Sequence, residues 1–429
     1  MTGPSLTRRA FLQTSAAAAA TGLCTSHIAR AGVPSRGANE RLRVGLIGAG
    51  DRGTFLLERF LDISRLHNAQ LVAVCDLWSR RREQAVHMVQ ERTGKRPAPF
   101  RNTDELFSSG GLDAVIIATP DFAHAHQCVE AVQAGLDVYV ETPLAHTLEE
   151  AELARRACLD CGRVVQMGTD NRSRAVQIAA AEYVRSGAFG SVREVEIGRH
   201  VHDPRHWRRD ALVATLRESD TDWRRYQLNQ PARPFDPRRY LEFRLFWPYS
   251  SGLPGQWLSH HIDTVAHVAG ESCPIRCVAS GSVGYWHDGR ENVDAFTAWF
   301  EYASGLKVRY SARHANAAGG AFARFFSEQE MLDLHAGTIS SLPSRSALNT
   351  KDTSEHLDVA LRPPPRQTEA CHLGNWLDCI RTRKSVRAGI EAGYAHSVAV
   401  AMAVRALHSG RSITYDPVSR RITEALTRT

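Results

Sequence analysis

The chain has 429 residues, 43% hydrophobic and 23% charged, which excludes global disorder, a collagen-like repeat and a disulfide-dense miniprotein. Its formal charge is +7, of which Arg8, Arg9 and Arg30 supply three from a first segment without acids. In the remainder Arg and Lys are interspersed with Asp and Glu, which argues against a nucleic-acid partner, and no run beyond the N-terminus reaches the roughly 18 apolar residues of a membrane span.

Residues 7–13 read Thr-Arg-Arg-Ala-Phe-Leu-Gln, followed by a small apolar stretch and Ala29-Arg30-Ala31. A charged start, a short apolar region and an A-x-A site predict an export signal over residues 1–31, and Arg8-Arg9 with Phe11 and Leu12 make it a twin-arginine signal. The twin-arginine translocase is then a partner and the periplasm the destination. Leu23 before Cys24 fits a lipoprotein site poorly, so no membrane anchor is expected. Residues 32–40 are a linker by composition.

From residue 41 short apolar runs alternate with helical patterns. Strands are expected at 43–47, 71–75, 114–118, 137–140 and 164–166, and helices at 52–61, 79–93, 123–134 and 147–161. Continuous β-branched strands between helices imply a parallel sheet covered on both faces, a doubly wound domain over 41–166. Beyond that the pattern changes. A helix at 175–186 leads to a strand at 192–197, then an arginine-, aromatic- and proline-rich stretch runs to Gly255. Strands at 275–280, 295–302 and 306–312, the last two joined by Ala303-Ser304-Gly305, indicate an antiparallel sheet. Helices at 372–382 and 391–407 and a strand at 413–415 close an α+β domain over 167–429. The fold class is α/β, with a Rossmann domain followed by a mostly antiparallel open sheet.

Gly48, Gly50 and Gly53 form G-x-G-x-x-G directly after a strand and at a helix start. The first glycine permits the tight turn, the second lets a pyrophosphate approach the backbone, and the third lets helix and strand pack closely. Asp76 ends the second strand, 23 residues after Gly53, where a carboxylate binds adenosine ribose hydroxyls. It favours NAD, while Arg80 and Arg81 keep NADP as an alternative.

These residues, together with Ala118-Thr119-Pro120-Asp121-Phe122-Ala123-His124, Val140-Glu141-Thr142-Pro143, His260-His261-Ile262-Asp263 and His372-Leu373-Gly374-Asn375-Trp376, occur in an order that resembles the glucose–fructose oxidoreductase, inositol dehydrogenase and rhizopine-catabolism (Gfo/Idh/MocA) family. The resemblance implies a Rossmann domain beside an open-sheet domain, nicotinamide bound between them, and sugars or cyclitols as substrates; the open sheet in turn favours a homodimer or homotetramer. It implies cofactor contacts from Gly48, Gly50, Asp51, Arg52, Gly53, Asp76, Thr119, Pro120, His124, Glu141 and Thr142. Two departures stand out. Thr142 occupies the place of the family's lysine, and Gln256 that of an aspartate four residues before the first histidine of the motif.

In a helix over 256–268, Gln256, His260, Asp263 and His267 share one face. His260 is the expected general base or acid, with Asp263 setting its orientation. A polar face satisfied by hydrogen bonds is the alternative, as is a metal site drawing on His200, His202 or His206; the spacing matches no established metal site, and none is expected. Arg244 and Trp247 are expected substrate contacts, since aromatic faces pack on sugar C–H surfaces and guanidinium groups bind hydroxyls or a carboxylate, with a structural role as loop anchors the alternative. Arg172 resembles a family position near the substrate with the same alternative, and His261 is a further expected contact. Three functions remain: an oxidoreductase acting on a sugar or cyclitol hydroxyl with retained nucleotide, a glycoside-cleaving enzyme that oxidises the sugar transiently, and a non-catalytic binding protein.

Overall fold

A computed structural model describes residues 40–203, 207–341, 355–356 and 365–424. The expected twin-arginine signal, Cys24, residues 32–39 of the linker and His206 lie outside the described residues.

The first sheet contains β1 (Leu42–Ile47), β2 (Ala69–Cys75), β3 (Ala98–Phe100), β4 (Ala114–Ile117), β5 (Asp137–Val140) and β6 (Val165–Met167). All are parallel, in the order β3-β2-β1-β4-β5-β6. The order reverses between β1 and β4, the crevice where doubly wound sheets bind ligands. Every residue of β4 and β5 is buried, which is why these strands read as unbroken apolar runs. Helices Asp51–Ile63, Ser79–Thr93, His124–Gln133 and Leu148–Cys161 join them. Thr147 caps the last of these by accepting the Glu150 N–H at 3.2 Å.

The second sheet has ten strands: β7 (Glu194–His200), β8 (Arg276–Ser282), β9 (Ala295–Glu301), β10 (Lys307–Arg313), β11 (Ala321–Phe326), β12 (Glu330–Asp333), β13 (Thr338–Ser341), β14 (Glu355–His356), β15 (Ile413–Asp416) and β16 (Arg421–Glu424). Its order is β14-β13-β12-β11-β7-β10-β9-β8-β15-β16, antiparallel except where β7 meets β10. Strand β9 shows its two-sided character. Phe296, Ala298 and Phe300 are buried under the helices, whereas Thr297, Trp299 and Glu301 face outward.

Two features tie the halves together. The helix Pro365–Thr382, late in the chain, returns to the first sheet, where Leu373, Trp376, Leu377 and Ile380 complete the core around Leu42, Val44 and Leu46. The segment 207–250, which carries only short helices, packs on the nucleotide-binding half. Phe122 meets Tyr226 and Tyr249 edge-on at 5.4 Å, and Trp223 stacks on Tyr226 at 5.3 Å. Among the described residues no helix is long and apolar enough to cross a membrane.

Candidate active site

At the end of β1 the chain turns at Gly48, whose φ is 86°, in the left-handed region. A Cβ there would lie 2.8 Å from the backbone of Ala118 and Thr119, and one at Gly53 only 1.9 Å from the Gly48 carbonyl oxygen. Gly50 differs: its nearest neighbour would be Arg81 Nη1 at 4.0 Å. The space before the N-terminus of Asp51–Ile63 is thus an open cradle with the unpaired N–H groups of a helix start beside it, and a diphosphate fits it.

Asp76 borders this cradle. Its Oδ2 accepts the Ala49 N–H at 2.7 Å and its Oδ1 the Trp78 N–H at 2.8 Å, so each oxygen keeps a lone pair for a ribose hydroxyl. Burial pushes its carboxyl up, against the pull of those two N–H groups. Asp51 receives Arg81 Nη1 at 2.8 Å and, from the other domain, Arg209 Nη2 at 2.8 Å. Burial acts to raise its carboxyl, yet the two guanidinium groups prevail and hold it below the usual range. Arg52 pairs with Glu141 at 3.0 Å. The buried His124 ring joins the carbonyls of Thr119 and Pro143, both at 2.8 Å, and so fixes the two turns, after β4 and after β5, at the far end of the cradle.

At that end Thr142 Oγ1 lies 3.0 Å from His260 Nε2. His260 belongs to the helix Ser259–Ala269, which follows a π-helical turn, Pro254–Leu258, in place of the continuous α-helix expected over 256–268. Gln256 Oε1 accepts from Arg244 Nε at 2.6 Å, and the Arg244 guanidinium covers the Phe243 ring at 4.5 Å. Burial holds Arg244 below its ordinary value.

Three expected roles are corrected. Asp263 does not orient His260: it is 1% exposed between helices and takes Arg172 in a bidentate pair of 2.8 to 3.0 Å, because a buried carboxylate needs a counter-charge. Arg172 is thereby withdrawn from substrate contact. Trp247 lies outside the cavity, stacked on His146 at 6.3 Å and edge-on to His408 at 5.0 Å. Among the described residues no three His, Cys, Asp or Glu side chains converge as metal ligands.

The remaining expected site residues, apart from Gly53 beneath the turn, line one cavity of about 1300 Å³ between the domains. That exceeds the roughly 300–1,000 Å³ usual for one small ligand, so a dinucleotide and a second molecule fit together. Its wall also contains Arg174, Gln177, Arg199, Arg209 and Trp257, which sequence reasoning missed. Arg209 is 158 residues from its partner Asp51, and no local pattern announces such a pair.

Residues 42–169 match the family described as "Oxidoreductase family, NAD-binding Rossmann fold", the Gfo/Idh/MocA group. The first domain is an NAD-binding Rossmann domain of this type. The chain is 30% identical over 243 residues to an alpha-N-acetylgalactosaminidase of Shewanella oneidensis, covering 51% of this chain and 50% of that protein. A glycosyl hydrolase family 109 protein of another Shewanella strain is 31% identical over 223 residues, 46% of each chain. The chain thus spans about half the length of the curated relatives it matches. Solved structures share the whole fold. The WlbA dehydrogenase of Bordetella pertussis, in complex with NADH and UDP-GlcNAcA, superposes with a TM-score of 0.66 at 17% identity, over 89% of this chain and 99% of that one. The aldose-aldose oxidoreductase of Caulobacter crescentus gives 0.63 at 20%, over 87% and 100%.

Proposed function

We propose that this protein is an exported, NAD-dependent enzyme that oxidises a hydroxyl of a sugar, sugar derivative or cyclitol while keeping its nucleotide bound. The observation that carries this reading is one cavity in which the diphosphate cradle and the Thr142–His260 pair lie at successive positions along the nucleotide path. Bound NAD supplies the hydride acceptor, and the protein supplies binding, orientation and proton transfer. Asp76 holds the ribose, and its carboxylate favours NAD over a 2′-phosphorylated nucleotide. Arg81, beside Gly50 and Trp78, keeps NADP as the minor alternative. His260 takes the hydroxyl proton. Thr142 donates to Nε2 or accepts from it according to the tautomer, and in either case fixes the ring plane. Gln256, held by Arg244, presents its amide to the same region.

A second reading rests on the curated relatives, named as glycoside-cleaving proteins. In it a sugar hydroxyl is oxidised transiently to a ketone, and the acidified neighbouring C–H gives up its proton as the glycosidic group leaves with a proton. Water adds across the double bond so formed, and the hydride returns to the ketone, which restores the nucleotide. One experiment separates the two. The purified holoprotein is incubated with free sugars and with aryl glycosides while absorbance of reduced nicotinamide and glycoside cleavage are followed. Net reduction with free sugars supports oxidation, and cleavage without net reduction supports the second reading. Neither activity, with nucleotide bound, would leave a binding protein.

Export rests on Arg8-Arg9 in their signal context. Replacing both by Lys should retain the protein in the cytoplasm, and an unchanged periplasmic yield would refute this route. The outer face of the second sheet, with Val278 and Trp299 exposed at 40% and 45%, suits a homodimer or homotetramer. A monomer in sedimentation would overturn that assembly.

A further inference from the structure

The cavity wall is rich in arginine, and its carboxylates are unevenly committed. Around the nucleotide cradle each of three acids has its partner: Asp51 has Arg81 and Arg209, Glu141 has Arg52, and Asp104 has Arg225. Beyond His260, toward β7 and the helix Ala175–Arg185, the lining carries Asp170, which acts on Arg52, and two further arginines. Arg174 and Arg199 line the cavity there, and neither has a carboxylate partner among the described residues. Arg174 is the residue preceding its helix, and its Nε is buried with no hydrogen-bond partner among the described residues. Gln177, three residues on and so on the same helix face, is 7% exposed, and its Oε1 is likewise without a partner. Arg199 extends from β7 over the ring of Trp257 at 5.0 Å. Arg174 is half-buried and its Nε is withdrawn from water, so an anionic acceptor is favoured against this wall.

His261 lines the same cavity, next to His260 in the chain and within the field of Arg199. Its Nδ1–H donates to the Trp257 carbonyl at 2.8 Å, and burial holds the ring down at about 4. At neutral pH the ring is uncharged, with its Nε2 lone pair left to accept a hydroxyl proton. Trp257 adds an aromatic face.

We infer that the substrate is an acidic sugar, its carboxylate received by Arg174 and Arg199 and one of its hydroxyls by His261. The inference rests on the sugar-processing reading above and narrows it to sugars bearing a carboxylate. The planar fork of arginine matches a carboxylate in two parallel bonds, and such charge-assisted bonds are about twice as strong as neutral ones. The Gln177 Oε1, an acceptor, is served at the same wall by a hydroxyl of the sugar.

The test uses the full holoprotein, with tryptophan fluorescence or calorimetry as readout and D-glucuronate, D-galacturonate, D-glucose and D-galactose as probes. Each uronate should bind at least about tenfold more tightly than its neutral parent. Arg199→Gln, at an exposed position, should remove most of that preference while leaving nucleotide occupancy unchanged. Arg174→Gln, checked for an unaltered melting temperature, should do the same. Equal affinity for acid and neutral sugars, or a uronate preference that survives the double variant, overturns the inference and leaves the sugar reading standing. If no probe binds although nucleotide is present, the sugar reading fails and this inference with it.

Discussion

On the proposed reading, the Thr142–His260 contact is a proton-handling unit unlike the lysine, aspartate and histidine trio that the family resemblance implies. A threonine hydroxyl is un-ionised near neutral pH, so its contribution is to hold the ring, and the base strength is the imidazole's. His260→Ala should lower turnover about 10²- to 10⁴-fold with nucleotide occupancy unchanged. Thr142→Val, which keeps the volume and removes the hydroxyl, should lose a smaller factor, about tenfold, the worth of one hydrogen bond. Because the two act as one unit, the double variant should be little worse than His260→Ala alone, and a fully additive cycle in steady-state kinetics would show that they act separately. That Thr142 departs from the family pattern is legible in the sequence. Its partner is not, because the two are 118 residues apart and meet only when the turn after β5 and the helix Ser259–Ala269 face each other.

Among the elements, the segment 207–250 covers the cradle, and on the proposed reading it sets how firmly nucleotide is held; two kinds of contact fasten it. The Arg209–Asp51 pair crosses the cradle, but its side chains are 38% and 57% exposed, and such a pair contributes about 0–1 kcal/mol. Packing of Phe122 against Tyr226, Tyr249 and the buried Trp223 is stronger, since truncating a buried aromatic typically costs about 3–5 kcal/mol. Trp223→Ala should therefore strip nucleotide during dialysis, whereas Arg209→Ala should raise its dissociation rate only a few fold. Equal loss from both variants would mean that the ion pair is the fastening. This segment was legible as aromatic- and arginine-rich, yet not as a cover, because its short helices lack the periodicity that would assign a buried face.

For the whole molecule, desolvated histidines lower stability in acid. Burial holds His261, His267 and His396 each down at about 4. In His396 the Nε2 lone pair accepts the Leu144 N–H at 3.1 Å, a bond that only the unprotonated nitrogen can make. Each ring has a folded-state value below its unfolded one near 6.5, so the unfolded chain binds more protons between those limits. The stability they contribute is complete above about pH 6.5 and is lost as pH falls toward 4, on the order of 1 kcal/mol per pH unit for each ring. Urea midpoints should thus be level from about pH 8 to 7 and fall steeply between about pH 6 and 5. A midpoint unchanged down to about pH 5 would show that these rings are solvated.

By itself the sequence determined the parallel sheet, the glycine cradle with Asp76, and the expectation of a second, antiparallel domain. These are local or periodic properties: unbroken apolar strands, a helix start after Gly50, and alternation in β9 that exposes one face. Only the tertiary structure decided which side chains share the cavity. It gave Asp263 to Arg172 instead of His260, packed Trp247 against His146, and returned the helix Pro365–Thr382 to the first sheet. The physical reason is the same in each case. A buried charge or a large apolar face must find its complement wherever the chain brings one, and that partner lies tens to hundreds of residues away, beyond the reach of any local pattern.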